Sequence, residues 1–247
     1  DLFGVTSDSV EAYASGIHPR EAKERITFAL DRGFSSFKVK VGFGKETDQL
    51  GLIEATELIN ASHQLMADAN QAWVSTSEAA ENIQTLSRFN LTWIEEPLRA
   101  NASLSDWRSL TKAINTPIAG GENLSTLDSV ETYWNKGIFK YMQPDIGKIG
   151  GFTGLLRIFG SQSCFSSNDN TYCPHWLGGM VGLAASAQLL TIVGNKGLLE
   201  VDVNENPVRE TLADWDLSPS NQGRLKLPEG NGIGITPDLV AIKSQNV

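Results

Sequence analysis

Seven residues suited to acid–base or metal chemistry recur along this 247-residue chain at nearly even intervals, each after a hydrophobic run. Lys40 closes FKVKVG, Asp68 falls in LMADAN, Glu95 in LTWIEE and Glu122 in PIAGGEN. Asp145 follows YMQP, His175 follows TYCP and Glu200 follows GLL. The steps between these positions are 28, 27, 27, 23, 30 and 25 residues. One strand, its loop and a crossover helix occupy about that length. The rhythm predicts an α/β fold of the TIM-type (β/α) barrel class, whose strand ends bring all seven residues to one face.

Asp68, Glu95 and Glu122 would then end three consecutive strands and converge. Like charges raise one another's pKa, so three unpaired carboxylates cannot share a site cheaply. A hard divalent cation resolves the conflict, and an all-oxygen set of this size suits Mg²⁺ completed by water and substrate. Taken singly, any of the three could equally cap a helix or meet a lysine. Lys38 and Lys40 alternate with valines and so share one strand face. If that face is the barrel interior, the two ammonium groups depress each other's pKa, and a lysine moved toward neutrality can act as a general base. An outward face would leave them solvated. Of the three histidines, His18 and His63 fall near element starts and read as surface residues. His175 ends a predicted strand beside Pro174, next to the strand that carries Asp145. A carboxylate bonded to imidazole fixes its tautomer and raises its pKa.

The elements that must position these residues alternate almost from end to end. VEAYASG, SFKVKVG, LMADA, LTWIEEP, PIAGGE, FKYMQPD, TYCPH and GLLEVDV read as eight strands. Helical patterns fall between them: PREAKERITFALDRG with Pro19 at its start and Gly33 as C-cap, residues 46–60, and STSEAAENIQTLSRF. Others centre near Trp107 and Val130, run from Phe152 to Ser163, and fill the apolar MVGLAASAQLLTIVG. Ser75 and Glu78 form an S-x-x-E capping signal. Repeating strand–helix units favour a parallel sheet, and eight of them favour closure over an open sheet. One domain over residues 1–247 is expected, with its core at about 10–210 and a Pro-, Gly- and Asn-rich tail, 211–247, packing outside.

Composition agrees with an ordinary globular protein, 40% hydrophobic and 20% charged. A net charge of −9 argues against nucleic acid as a partner. It does not exclude an anionic substrate, because a bound cation and nearby lysines can dominate the local field. Cys164 and Cys173 suggest no disulfide framework, which points to a reducing cytoplasm. No apolar run reaches the length of a membrane span and no signal-peptide pattern opens the chain. The first residue is Asp1, not Met, so a longer protein is expected.

In this order FKVKVG, ADANQAW, WIEEP, GEN, QPDIGKIGG, PH and LLEVD resemble the barrel of the enolase superfamily, in its mandelate racemase subgroup. The resemblance covers roughly residues 10–210 and implies the modified (β/α)7β barrel of that superfamily. It implies that Asp68, Glu95 and Glu122 hold Mg²⁺ and that Lys40 is a base on one face of a carboxylate substrate. His175 with Asp145 would serve the other face. Glu200 would hydrogen-bond the substrate carboxylate, Lys38 would neutralise it, and Asn70 would line the site. Glu96 and Asn123 neighbour the ligands and receive no direct role. The implied reaction is α-proton abstraction to an enediolate, followed by dehydration of a sugar acid to a 2-keto-3-deoxy acid, in a homo-oligomer. Racemisation or epimerisation is the alternative if the proton returns from the far face. Lys148, in PDIGK, matches a position where the muconate-lactonizing subgroup places its second base. Lys40 with Lys148 is therefore a competing pair, with His175 a bystander. A non-catalytic barrel is the reading from a different class. The resemblance also implies an N-terminal capping domain, to which nothing in this chain corresponds.

Overall fold

β1 (Ser9–Ile17) sets the pattern that the barrel repeats. Side chains alternate along a strand, so Tyr13 and Ser15 face one side while Ala12 and Ala14 face the other. The computed structural model describes residues 7–159, 170–193, 196–212, 214–220 and 222–244. Cys164 and the predicted helix end at Ser163 lie outside these residues. Seven more parallel strands follow β1: β2 (Ser36–Lys40), β3 (Gln64–Asp68), β4 (Ile94–Glu95), β5 (Ile118–Gly120), β6 (Tyr141–Met142), β7 (Thr171–Tyr172) and β8 (Leu198–Asp202). Their order across the sheet is β7-β6-β5-β4-β3-β2-β1-β8. The path nearly closes on itself, as the spacing predicts. At the last seam the Leu198 N–H donates to Cys173 Sγ at 3.4 Å. Gly197 is needed there, because a Cβ would stand 1.7 Å from the Tyr172 carbonyl oxygen.

The crossovers are α1 (Ala22–Asp31), α2 (Lys45–Leu58), α3 (Thr76–Leu86), α4 (Leu104–Ala113), α5 (Leu127–Asn135), α6 (Gly151–Phe159) and α7 (Met180–Val193). Seven crossovers between eight strands give the (β/α)7β arrangement. Capping starts α3 where the sequence predicts. The Ser75 hydroxyl accepts from the Glu78 N–H at 3.2 Å, while the Glu78 carboxylate reaches back one residue further than expected, to the Val74 N–H at 2.9 Å. α4 carries a full capping box between Ser103 and Asp106. Beyond the strands come α8 (Pro207–Leu212), β9 (Arg224–Lys226) and α9 (Leu239–Ser244). β9 pairs antiparallel with the start of β1; Glu11 is shared by β8 and β9, which therefore flank β1 on opposite sides.

Two apolar clusters result. The larger fills the layer between sheet and helices, from Ile17 and Phe37 to Leu199 and Val201. The smaller lies inside the barrel and joins Tyr13, Met66, Trp93, Ala119, Cys173 and Leu198. Its aromatic members interlock, with Tyr13 edge-on to Trp93 at 5.4 Å and Trp93 against Tyr141 at 4.7 Å. On most strands the inward residue two positions further along is polar: Ser15 after Tyr13, Asp68 after Met66, Glu95 after Trp93, Gln143 after Tyr141, His175 after Cys173, Glu200 after Leu198. The period of two thus stacks a polar layer directly on an apolar floor. Among the described residues no helix is long and apolar enough to cross a membrane.

Candidate active site

The polar layer is organised around Lys38, which is 2% exposed. Its Nζ donates to Glu95 Oε1 at 2.6 Å and to Glu200 Oε1 at 2.7 Å, and stands 3.8 Å from Asp68 Oδ2. The Tyr13 ring lies beneath it, 5.3 Å from Nζ to the centroid. Burial disfavours the ammonium form, but the Glu200 and Glu95 carboxylates outweigh it and hold the Lys38 pKa well above its ordinary value. The expected mutual depression of the two lysines therefore does not hold for Lys38, because carboxylates rather than Lys40 dominate its field. Lys40 ends β2, half-buried, in register with Asp68.

Asp68 and Glu95 are the last residues of neighbouring strands and are themselves paired in register. Glu122 stands two residues beyond the end of β5. Burial pushes all three carboxyl groups above their usual range, Glu95 to about 7, with only part of the effect offset by Lys38 or, for Glu122, His175. Glu95 is held from three sides: besides Lys38, Gln143 Nε2 donates to Oε2 at 2.6 Å and Trp93 Nε1 at 3.3 Å. Glu96 is buried beside them in left-handed backbone (φ 38°). Burial and then the Glu122 charge raise its pKa to about 7. Asn123 Nδ2 bridges it to Glu122, 3.0 Å from both Glu96 oxygens and 3.1 Å from Glu122 Oε1. Asn70, exposed and also left-handed (φ 45°), donates its N–H to Asp68 Oδ1 at 2.8 Å.

On the opposite side of the mouth, His175 Nδ1 meets Asp145 Oδ2 at 2.9 Å and Nε2 meets Glu122 Oε2 at 3.0 Å. Burial would lower the imidazole pKa, but the Asp145 hydrogen bond and the charges of Glu200 and Glu122 raise it to about 9. Asp145 in turn is held below its ordinary value, the His175 bond and charge overcoming its burial. Both ring nitrogens of the resulting imidazolium are donors. Glu200 is fully buried in the middle of β8. Its Oε1 accepts from Lys38 and from Ser15 Oγ at 2.7 Å, and its Oε2 accepts from the Trp176 N–H at 3.1 Å. Lys38 and His175 overcome the effect of burial and hold its pKa down to about 2. Lys38 and Glu200, which the resemblance assigns to a substrate carboxylate, are thus buried and engaged with each other, and Glu200 Oε2 stands 4.0 Å from His175 Nε2. Lys148 is exposed, and its Nζ donates to the Glu122 carbonyl at 3.0 Å.

Sequence reasoning missed Ser15, Gln143 and Trp93 as partners of the acids. The signal was present: Ser15 and Gln143 fall on the inward faces of β1 and of the strand end after β6, one alternation above Tyr13 and Tyr141. His18 and His63 take local roles, His18 Nδ1 accepting from the Arg20 N–H and His63 Nδ1 meeting the Asn60 N–H.

Among the described residues no three His, Cys, Asp or Glu side chains stand ready as a metal cage, since Lys38 and His175 engage the oxygens of Glu95 and Glu122. By donor type the set nevertheless fits a hard cation. Three carboxyl groups sit on adjacent strand ends, and burial penalises each of them as an anion. A divalent cation relieves that penalty.

A family model described as "Enolase C-terminal domain-like" matches residues 21–241. D-galactarolactone cycloisomerase of Agrobacterium fabrum is 27% identical over 249 residues, covering 95% of this chain and 64% of that protein. L-talarate/galactarate dehydratase of Salmonella typhimurium is 31% identical over 163 residues, covering 64% of this chain and 40% of that protein. Among solved structures, a mandelate racemase/muconate lactonizing enzyme from Bordetella bronchiseptica RB50 superposes with a TM-score of 0.90 at 39% identity, over 98% of this chain and 66% of that one. The chain thus spans a little under two thirds of the length of relatives that it matches almost throughout. With the family model covering most of its length and the barrel shared with solved relatives, this chain belongs to the enolase superfamily as a member of the Enolase C-terminal domain-like family.

Proposed function

We propose that the protein containing this chain abstracts the α-proton of a small carboxylate substrate in a Mg²⁺-dependent reaction, and that the reaction completed is dehydration of a sugar acid to a 2-keto-3-deoxy acid. The observation that carries this reading is the meeting, at one barrel mouth, of two buried carboxylates, Asp68 and Glu95, and the half-buried Glu122, with Lys40 on one side and the Asp145–His175 pair on the other. Asp68, Glu95 and Glu122 would hold the cation. When bound, Mg²⁺ supplies positive charge that favours the enediolate form of the substrate over the carboxylate.

The chain's own residues account for the proton movements. Lys40 in its amine form accepts the α-proton. His175, a cation at neutral pH because Asp145 and neighbouring acids favour its charged form, donates from Nε2 to the departing β-hydroxyl. Asp145 fixes the ring through Nδ1, so the transferable proton is the one on Nε2. Lys38 adds fixed positive charge from below, and Glu200 with Ser15 holds it in place. The enol left after loss of water takes up a proton at the β-carbon, from which the hydroxyl departed, and its own hydroxyl proton is released as it tautomerises to the 2-keto-3-deoxy acid. Supply of substrate in the cytoplasm, to a homo-oligomer, completes the proposal.

A cycloisomerase remains the second reading, because the Agrobacterium relative so named aligns with 95% of this chain. Its proton abstraction would use the same lysine side, with Lys148 as partner. Variants of the full-length protein separate the roles. Lys40→Ala is expected to lower turnover by about 10²–10⁴-fold, the usual worth of a general base, while leaving Mg²⁺ affinity nearly intact. His175→Asn should block dehydration, and Lys148→Ala should be mild. Normal turnover in Lys40→Ala, or dehydration lost in Lys148→Ala but kept in His175→Asn, would reject the assignment.

A further inference from the structure

Gln143 stands in the same polar layer, is fully buried, and has no part in the chemistry above. Its backbone is pinned, the N–H donating to the Gly120 carbonyl at 2.8 Å. Gly121, at φ +126°, permits this approach: a Cβ there would stand 3.2 Å from the Gln143 nitrogen. The side-chain amide is then directed at Glu95, with Nε2 2.6 Å from Oε2. The other end of the amide is costly. Gln143 Oε1 is buried with no hydrogen-bond partner among the described residues. Turning the amide over would set its carbonyl against a carboxylate oxygen, acceptor to acceptor. Buried polar atoms without partners are rare in folded proteins and call for a reason. A residue kept only for packing would be better as Leu or Met, which strand no acceptor.

We propose that Gln143 is a positioning residue for the cation site: it fixes the rotation of the Glu95 carboxylate, opposing the pull of Lys38 on Oε1, so that Glu95 is presented in one orientation to a divalent cation. This rests on the reading of Asp68, Glu95 and Glu122 as the cation's ligands. Lys38 grips Oε1 at 2.6 Å from one side, and Gln143 with Trp93 grips Oε2 from another. Without Gln143 the carboxylate is left to Lys38 and the longer 3.3 Å Trp93 contact, and is free to turn further onto the ammonium. Partners behind a metal-ligating carboxylate orient it in this way, and their loss typically costs about 10–100-fold in metal affinity.

The test compares the full-length wild-type protein with Gln143→Met, similar in volume and without the stranded acceptor, by titrating Mg²⁺ calorimetrically and measuring urea unfolding midpoints without metal. The expected result is a Mg²⁺ Kd raised about 10–100-fold with an unfolding midpoint unchanged or higher. A purely structural role would do the reverse, lowering the midpoint and leaving Kd in place. Gln143→Asn, which keeps the amide but shortens its reach, is read by the same criterion if Gln143→Met does not fold. Unchanged Kd in the variant that folds, beside a wild type that binds Mg²⁺, overturns this inference alone. A wild type that binds no Mg²⁺ overturns the cation reading and this inference with it.

Discussion

At the scale of single residues, the site sets six buried or half-buried acids, Asp68, Glu95, Glu96, Glu122, Asp145 and Glu200, against the cations Lys38 and His175, with Lys40 half-buried beside them. Lys38 answers Glu95 and Glu200, and His175 answers Asp145 and Glu122. The two cations behave differently because their surroundings do: Lys38 is sealed between an aromatic floor and the carboxylates, while His175 keeps 12% of its side chain exposed. A pH effect follows for the metal-free protein. His175 has a pKa of about 9 in the folded chain, against about 6.5 when unfolded. The folded state therefore binds this proton more tightly. Its contribution to stability is full below about pH 6.5 and is lost as the pH rises through about 9. Unfolding midpoints of EDTA-treated wild type should fall over that window relative to those of His175→Asn. Parallel curves for the two proteins across the window would contradict the ion-pair account. The residue types of this site were legible in the sequence, since Asp68, Glu95, Glu122, Asp145 and His175 all arrive near one another. Their bonding was not. No sequence pattern shows that a lysine such as Lys38 is held by two carboxylates over an aromatic floor.

At the scale of elements, what positions each group is the alternation of the strands. Strand β1 shows the limit of reading this from sequence. It offered no candidate by residue type, yet Ser15 holds Glu200 and Tyr13 supports Lys38, because both share its inward face. Helices were legible because caps and 3.6-residue periodicity are local signals, as with Ser75, though the Ser103 box of α4 went unread. Strand ends were less so: β6 and β7 are each two residues long, and Asp145 and His175 stand three residues past them, in the loops. The β7–β8 seam matters most for the site, since it carries His175 on one side and Glu200 on the other. Gly197 permits it, and Gly197→Ala would drive a methyl group into the Tyr172 carbonyl. Overpacking of this kind costs about 1–3 kcal/mol, and more where backbone must move. Chemical denaturation should show a loss of at least that size, accompanied by weakened activity. Wild-type stability in Gly197→Ala would mean that the seam is looser than described.

At the scale of the whole molecule, the interval of about 27 residues was enough to give the barrel, because a parallel strand and its crossover have a nearly fixed length. The reaction is another matter. Relatives of this chain include a dehydratase, a cycloisomerase and an epimerase, so the shared barrel does not by itself fix the reaction, which depends on whether the deprotonated intermediate loses a β-group or is reprotonated. The measurement that bears most directly on the central claim uses the full-length protein with Mg²⁺ in D₂O, presented with a panel of mono- and diacid sugars and followed by proton NMR. The account predicts loss of an α-proton signal together with a 2-keto-3-deoxy product, both abolished by EDTA and restored by added Mg²⁺. Exchange without a keto product would contradict dehydration and leave proton abstraction standing. Neither exchange nor product on any acid, or turnover indifferent to EDTA, would contradict the account itself.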